Sequence, residues 1–369
     1  SSAASDVYKR QQLNIGGVER GTLDLSKALI EQGHESFVIS GGGILVDELI
    51  RSGAKHYETP VHIKSLRTLY LAKSLSEKIS SIDPDIVHIR SRMPAWVNYR
   101  AFKMLKKKPL LISTFHGLYS FPIYSKVMSF VDHSIAISKT VERYILENYR
   151  LDKDDITVIP RGCDPIEFNN NVINPADKAN IIEEFPQIVG KKVLTIPGRI
   201  TKWKGVAEFI ELLSLLDDNY HGLIVGPTAK SKKNYLKKLQ NKVSSLNLED
   251  KITFTGSRRD IANIYKISDV VFNLSQTPEP FGRTMIEAIA CGAKVIGWNH
   301  GGASEILTEL FPQGLVTLND MNMLLKTTNQ VTSSNSLPRE NIFTANRMTN
   351  STINLYQNCL LYTSDAADE

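Results

Sequence analysis

Two glutamates, Glu279 and Glu287, stand eight residues apart in the segment 277–288. Phe281 and Gly282, between them, are typical of the start of a helix, whose first backbone N–H groups have no partner within the helix. Glu279 would then lie in the preceding loop, and Glu287 about one and a half turns into the helix. The two carboxylates could accept hydrogen bonds from hydroxyl groups at the two ends of one ligand, such as a sugar derivative.

Two basic residues, Arg199 and Lys204, stand five positions apart between Gly198 and Gly205. They follow the apolar run 193–196, which is typical of a buried strand. A guanidinium and an ammonium group in such a loop can bind a diphosphate. We therefore expect a diphosphate site here; the alternative is an exposed basic loop that binds nothing.

The N-terminal part has a glycine loop, Gly16-Gly17, before a helical pattern that continues to residue 31. Small residues let backbone N–H groups approach a ligand, and the N-terminus of a helix favours anions. The spacing is not G-x-G-x-x-G, and the second strand ends in the glycine-rich segment 40–43 rather than in an acidic residue. The loop therefore predicts phosphate or acceptor binding and argues against a dehydrogenase.

One histidine, His116, follows an apolar strand and precedes Gly117. Side chains at the carboxyl end of a parallel strand lie where ligands bind in open α/β sheets. We expect a site role for His116, the alternative being a structural histidine.

Short apolar runs alternate with helical patterns along the whole chain. The first series comprises 37–40, 86–89, 110–114, 134–138 and 156–159, and the second comprises 193–196, 222–225, 252–255, 269–274 and 294–297. Unalternating apolar strands separated by helices predict parallel sheets covered on both faces. The sequence thus predicts an α/β protein of two Rossmann-like, doubly wound domains, residues 12–165 and 166–340, with a ligand cleft between them. A last helix, 341–358, is expected to cross back to the first domain.

The composition is that of an ordinary globular protein, with 369 residues, 42% hydrophobic and 22% charged. The three cysteines are too few and too scattered for a disulfide framework or a zinc site. No apolar run is long enough for a membrane-spanning helix, and no signal peptide is evident, so we expect a cytoplasmic protein.

Positive charge is concentrated between residues 51 and 110, with 13 Lys and Arg against 4 Asp and Glu. This predicts either a solvated basic face or attraction to an anionic membrane surface. Nucleic acid is not expected as a partner because no binding motif accompanies the charge.

Asp83-Pro84-Asp85 matches a D-x-D pattern, in which two carboxylates could bind a metal ion. Here the pattern precedes a strand, at the end of the sheet where ligands do not bind. Asp and Pro are also ordinary turn residues. We therefore expect a turn at this position and neither a metal ion nor another cofactor.

Taken in order, these segments resemble one family. The chain is similar to retaining glycosyltransferases of family 4, the group 1 glycosyl transferases with the GT-B fold, and to bacterial members that build lipopolysaccharide or other surface glycans. The matching segments are Gly16-Gly17, 158–164, Gly198-Arg199 with Lys204-Gly205, and 278–282 with Glu287 and Gly292. Arg161 stands where the family commonly has Asn, near the expected hinge between the domains.

The resemblance implies transfer of a sugar from a nucleotide-sugar donor, with a UDP-sugar favoured over a GDP-sugar, to a glycan or glycolipid acceptor. Glu287 would accept the ribose hydroxyls, and Glu279 would hold the donor sugar with the backbone N–H groups of Phe281 and Gly282. Arg199 and Lys204, beside Gly198, would stabilise the leaving diphosphate in place of a metal. Backbone groups near Gly226 and Arg258 would contact the base, and the acceptor would bind near Gly16, Gly17 and His116.

Two other functions remain open at this level. A nucleotide-sugar 2-epimerase can have the same fold, but it would not need the segment 278–282 together with Glu287. The second alternative is a nucleotide-sugar-binding protein that has lost catalytic activity, although every charged position expected of an active enzyme is present.

Both ends of the chain, 1–11 and 359–369, resemble the two translations of one sequencing-adapter tag. A DNA sequence that encodes the first segment encodes the second when its reverse complement is translated one base out of frame. We therefore expect both segments to be foreign. Residues 7–11 would stand in for the first strand of the sheet, and 359–369 would form a disordered or frayed tail.

Overall fold

The computed structural model describes residues 13, 16–61, 63, 66–119 and 122–368. They divide into two compact units. The first unit runs to Gly162 and resumes at Ala345, and the second unit is Cys163–Thr344. We expected the boundary three residues later, after residue 165.

In the first unit, all strand pairs are parallel and helices alternate with strands. Strands β1 and β2 form one pair, and the other four form a sheet in the order β3-β4-β5-β6. The strands are β1 Phe37–Ser40, β2 Lys55–Glu58, β3 Ile86–Ile89, β4 Leu110–Phe115, β5 His133–Ala136 and β6 Ile156–Val158. The helices are α1 Gly17–Glu31, α2 Val46–Arg51, α3 Leu71–Ile82, α4 Arg92–Phe102, α5 Pro122–Ser125 and α6 Lys139–Asn148.

The second unit contains one six-stranded parallel sheet in the order β12-β11-β10-β7-β8-β9. Its strands are β7 Lys192–Pro197, β8 Tyr220–Val225, β9 Ile252–Gly256, β10 Val270–Asn273, β11 Lys294–Trp298 and β12 Leu315–Val316. Its helices are α7 Pro175–Glu184, α8 Val206–Leu215, α9 Lys233–Ser245, α10 Ile261–Ile267, α11 Arg283–Ala290, α12 Gly301–Leu310 and α13 Met321–Ser333. The strand order reverses at β7, so the loops after β7 and β10 meet where ligands bind in such sheets.

The predicted fold class is confirmed, since every one of the ten apolar runs contains a strand. Two strands were not predicted. The residues of β2, Lys-His-Tyr-Glu, are exposed or half-buried, so no apolar run marks them. The two residues of β12 are too few to give a pattern.

The last helix, α14, comprises Ala345–Asp368 and belongs to the first unit. Its residues Met348, Ile353 and Tyr356 pack in one cluster with Leu25 and Ile86. The expectation of a disordered or frayed tail over 359–369 was therefore wrong: Cys359 and Leu360 pack against the same cluster, and the helix continues to Asp368. The strand expected at residues 7–11 lies outside the described residues.

The segment Asp83-Pro84-Asp85 ends a helix and does not face a ligand-binding edge. Asp83 follows α3 with a left-handed φ of 47° and pairs with Lys107 Nζ at 2.9 Å. It therefore makes the expected turn. Among the described residues, no helix combines the length and the apolar character that crossing a bilayer requires.

Candidate active site

Lys204 and Glu279 form an ion pair in the second unit. Lys204 Nζ donates to Glu279 Oε1 at 2.5 Å, and both side chains are at most 15% exposed. The same oxygen accepts a hydrogen bond from Ser275 Oγ. Lys204 follows β7, whereas Ser275 and Glu279 follow β10, so the two loops at the reversal of strand order are linked by charge.

Three glycines make this approach possible. Gly198 has φ +129°, and a Cβ there would lie 3.6 Å from Lys204 Cε. Gly226, with φ +155°, lies so close to Gly198 that its Cβ would meet the Gly198 carbonyl oxygen at 1.9 Å. Gly205, with φ +75°, packs equally closely against Leu274. The structure therefore brings Gly198, Lys204 and Gly226 together at the carboxyl ends of β7 and β8.

The loop that carries Glu279 rests on the start of α12. Gly302 N donates to the Glu279 carbonyl at 2.8 Å, and a Cβ on Gly302 would lie 2.4 Å from Phe281 Cα. His300 Nε2 donates to the Ser275 carbonyl at 2.7 Å. Gly282, at φ +109°, turns the chain into α11. These contacts fix the backbone that presents Phe281, Gly282 and the Glu279 carboxylate.

Glu287 lies within α11 and is only 7% exposed. Burial raises the pKa of Glu287 to about 7, and the positive charge of Arg283 opposes this rise. Arg283 Nε lies 2.7 Å from Glu287 Oε1. A carboxylate in this setting can accept two hydrogen bonds from neighbouring hydroxyl groups, as a ribose presents.

The two arginines predicted in this unit, Arg199 and Arg258, have different surroundings. Arg199 is exposed, one residue after Gly198. Arg258 pairs with Glu184 at 2.5 Å and with Asp260 at 2.7 Å, and it lies over the ring of Phe185. The Arg258 side chain is thus held by structural partners, which leaves its backbone for the expected contact with a base.

In the first unit, His116 follows β4 as expected. Arg90 Nε donates to His116 Nε2 at 3.4 Å, so the ring proton lies on Nδ1. His116 Nδ1 is buried and has no hydrogen-bond partner among the described residues. Burial, together with the charges of Arg161 and Arg90, holds the His116 pKa well below its usual range. The ring is therefore neutral near pH 7 and can donate a hydrogen bond from Nδ1.

Two arginines that the sequence did not identify as site residues lie near this histidine. Arg90 follows β3, and Arg161 follows β6 by three residues. The sequence showed Arg161 only as a departure from the family near the expected hinge; its side chain is buried and reaches α1 at Gly21. The position after a strand, which identified His116, would have identified both. In the second unit, Ser275 was missed because a lone serine carries no pattern.

Comparisons with known families cover most of the chain. Residues 177–348 match the family model described as glycosyl transferases group 1, and residues 15–167 match that of glycosyltransferase family 4. Among solved structures, a glycosyltransferase from Rickettsia africae is 31% identical, with a TM-score of 0.84 and 98% of both chains covered.

Two further similarities are more distant. The N-acetyl-alpha-D-glucosaminyl L-malate synthase of Bacillus anthracis is 25% identical over 310 residues, which cover 80% of this chain and 78% of that protein. The Anabaena protein HepE, solved in complex with UDP and glucose, has a TM-score of 0.79 at 19% identity, with 97% of this chain and 100% of that chain covered. The second of these is a likeness of fold.

Proposed function

We propose that this chain, which belongs to the group 1 glycosyl transferases of glycosyltransferase family 4, transfers a hexose from a nucleotide sugar to an acceptor hydroxyl with retention of the anomeric configuration. A UDP-sugar is the favoured donor, and a GDP-sugar is the alternative. The acceptor would be a glycan or glycolipid of the bacterial cell surface, such as a lipopolysaccharide precursor. The complexes of HepE with UDP and with UDP-glucose support the choice of donor.

The observation that carries this proposal is the ion pair of Lys204 and Glu279 beside Gly198 and Gly226. Lys204, with Arg199, would stabilise the charge that develops on the leaving diphosphate. A well-placed donor of this kind contributes roughly 3–4 kcal/mol to the transition state. Glu279 would hold hydroxyls of the donor sugar, and Glu287 those of the ribose.

The proposed mechanism needs no nucleophile from the protein. The acceptor hydroxyl would attack from the face that the diphosphate leaves, and a phosphate oxygen of the donor would take its proton. His116, neutral and donating from Nδ1, would orient a sugar hydroxyl or stabilise the oxocarbenium-like transition state. Gly16 and Gly17 would place the backbone N–H groups of α1 near the acceptor.

A thermal-shift screen against UDP-, GDP- and ADP-sugars would identify the donor, because a ligand that binds the folded state raises its melting temperature. Release of the nucleoside diphosphate then measures turnover, and NMR of the product gives its anomeric configuration. An inverted glycoside would contradict retention. Formation of an epimerised nucleotide sugar without a glycoside would favour the epimerase instead.

We also propose that the protein acts in the cytoplasm, at the inner face of the cytoplasmic membrane. The exposed lysines 106–108 support this proposal because basic residues near a surface bind anionic lipids.

A further inference from the structure

Two buried guanidinium groups meet at one point on α1. Arg90 is 4% exposed and Arg161 is 8% exposed. A Cβ on Gly21 would lie 2.7 Å from Arg161 Nη1 and 3.3 Å from Arg90 Nη2. Arg90 Nη1 also donates to Thr22 Oγ1 at 3.1 Å. The glycine at position 21 therefore gives both arginines access to the first turns of α1.

The carboxylate of Glu19 occupies the space in front of these turns. The backbone N–H groups of Val18 and of Glu19 itself face this carboxylate and lower its pKa. Burial raises the pKa of Glu19, and the charges of Arg161 and Arg90 oppose that rise. The absence of a side chain at Gly16 leaves space for the Glu19 carboxylate, because a Cβ there would lie 2.3 Å from Glu19 Oε2. The φ of Gly16 is extended, so space and not backbone conformation requires the glycine.

Backbone N–H groups at a helix N-terminus and two guanidinium groups are the donors with which proteins bind phosphate and carboxylate ligands. Here the Glu19 carboxylate of the chain itself lies against Gly16 at the start of the helix, and the charges of both arginines act on it. A side chain four residues or fewer from the helix start can move away by rotation, without unfolding the helix. The donors can then bind an anion of the same kind from solution.

We propose that Glu19 is an internal occupant of an anion site, and that the acceptor carries a phosphate or carboxylate group that displaces it. The identification of the anion as part of the acceptor rests on the proposed function. The anion site itself does not depend on that function. His116 lies beside it, since Arg90 donates both to His116 Nε2 and to Thr22 on α1. An acidic acceptor bound to Arg90 and Arg161 would have a hydroxyl group within reach of a neutral imidazole donor.

The test is a calorimetric titration of the full chain with inorganic phosphate and, in a second arm, with malonate. Both are measured in the Lys204→Ala background, which weakens any binding at the proposed diphosphate site. We expect Arg161→Gln and Arg90→Gln to weaken binding more than ten-fold. Glu19→Gln should tighten it at least five-fold, because the competing charge is gone. Glu31→Gln, at an exposed position of the same helix, should change nothing.

The arm with the tighter binding identifies the acidic group as a phosphate or a carboxylate. The inference is overturned if neither anion binds, or if Glu19→Gln leaves the affinity unchanged or lowers it. A gain of affinity in Glu19→Gln supports the site even if an arginine variant fails to fold. Because no nucleotide sugar is used, a failure here is distinct from a failure of the proposed transferase activity, which donor binding and product formation test.

Discussion

Lys204 Nζ lies 2.5 Å from Glu279 Oε1, although the two side chains are proposed to bind different parts of the donor. In the structure each charge compensates the other within a largely buried site. A ligand that binds between them must replace this mutual contact with contacts of its own. The pair therefore holds both groups in position before the donor arrives, which lowers the cost of ordering them.

The diphosphate loop gives the first prediction. Arg199→Ala and Lys204→Ala should each lower kcat by about two orders of magnitude, the cost of removing one well-placed donor. Lys202→Ala is the matched control, since Lys202 is exposed in the same loop and should retain activity. Asp83→Ala and Asp85→Ala should also be active. Full activity of the Lys204 variant, or inactivation by a chelator, would contradict the metal-independent mechanism.

A second prediction concerns the stability of the Lys204–Glu279 pair. Lys204→Ala leaves a buried carboxylate without its ammonium partner, so the free energy of unfolding should fall. Glu279→Gln keeps an acceptor for Ser275 and should be milder, while still impairing transfer. In a double-mutant cycle by chemical denaturation we expect a coupling of about 1–3 kcal/mol. Strictly additive effects would show that the pair does not stabilise the site.

The raised pKa of Glu287 gives a third prediction. Its folded-state pKa is about 7 against an ordinary value of 4.5, so between these values the folded protein keeps a proton that the unfolded chain loses. The free energy of unfolding should then fall as the pH rises through this range, by up to about 3 kcal/mol.

Glu287→Gln cannot lose a proton and should remove this part of the pH dependence. It should therefore be more stable than the wild type at pH 8 and equal to it near pH 4, while its KM for the donor rises. Glu249→Gln, at an exposed position, serves as the control. Thermal melts at a series of pH values measure the effect, and parallel curves for Glu287→Gln and wild type would exclude it.

His116 gives the fourth prediction. His116→Ala should lower kcat/KM for transfer and shift the melting temperature by only a few degrees, because the ring accepts one long hydrogen bond, 3.4 Å from Arg90 Nε, and Nδ1 has no partner among the described residues. Since the His116 pKa is far below its usual range, the defect should be the same at pH 6 and pH 8. His133→Ala is the control, as His133 begins β5 at the opposite end of the sheet. A large fall in melting temperature would instead make His116 structural.

The fifth prediction concerns membranes. Replacing lysines 106–108 with Gln should weaken binding to anionic vesicles on the order of 100-fold at low salt, at about 1 kcal/mol per lysine. The control replaces three exposed lysines of the second unit: Lys232, Lys237 and Lys238. Binding should also decline as salt is added. Equal binding of the wild type to neutral vesicles would refute the electrostatic interpretation.

The sequence predicted those site residues that lie in recognisable local patterns, and it missed those that meet only through the fold. Lys204 and Glu279 were predicted separately, from a basic loop and a helix start, but their contact depends on the neighbouring positions of β7 and β10. Arg90 and Arg161 are far apart in the chain, and only the parallel order β3 to β6 brings both to α1. Their position after a strand was informative, but Arg90 was counted only as part of the basic region 51–110, and Arg161 only as a departure from the family.

The chain leaves the first unit at Gly162 and returns to it only at Ala345. The hydrophobic cluster of that unit combines Leu25 and Ile86, made before the second unit, with Ile353 and Tyr356, made after it. Its core thus cannot be completed until the second unit has been synthesised and α14 has followed it. We therefore expect the continuous second unit to complete its core first, the reverse of the usual N-terminal-first order of domain folding. During synthesis, the unfinished apolar face of α1 is the surface that chaperones would have to protect.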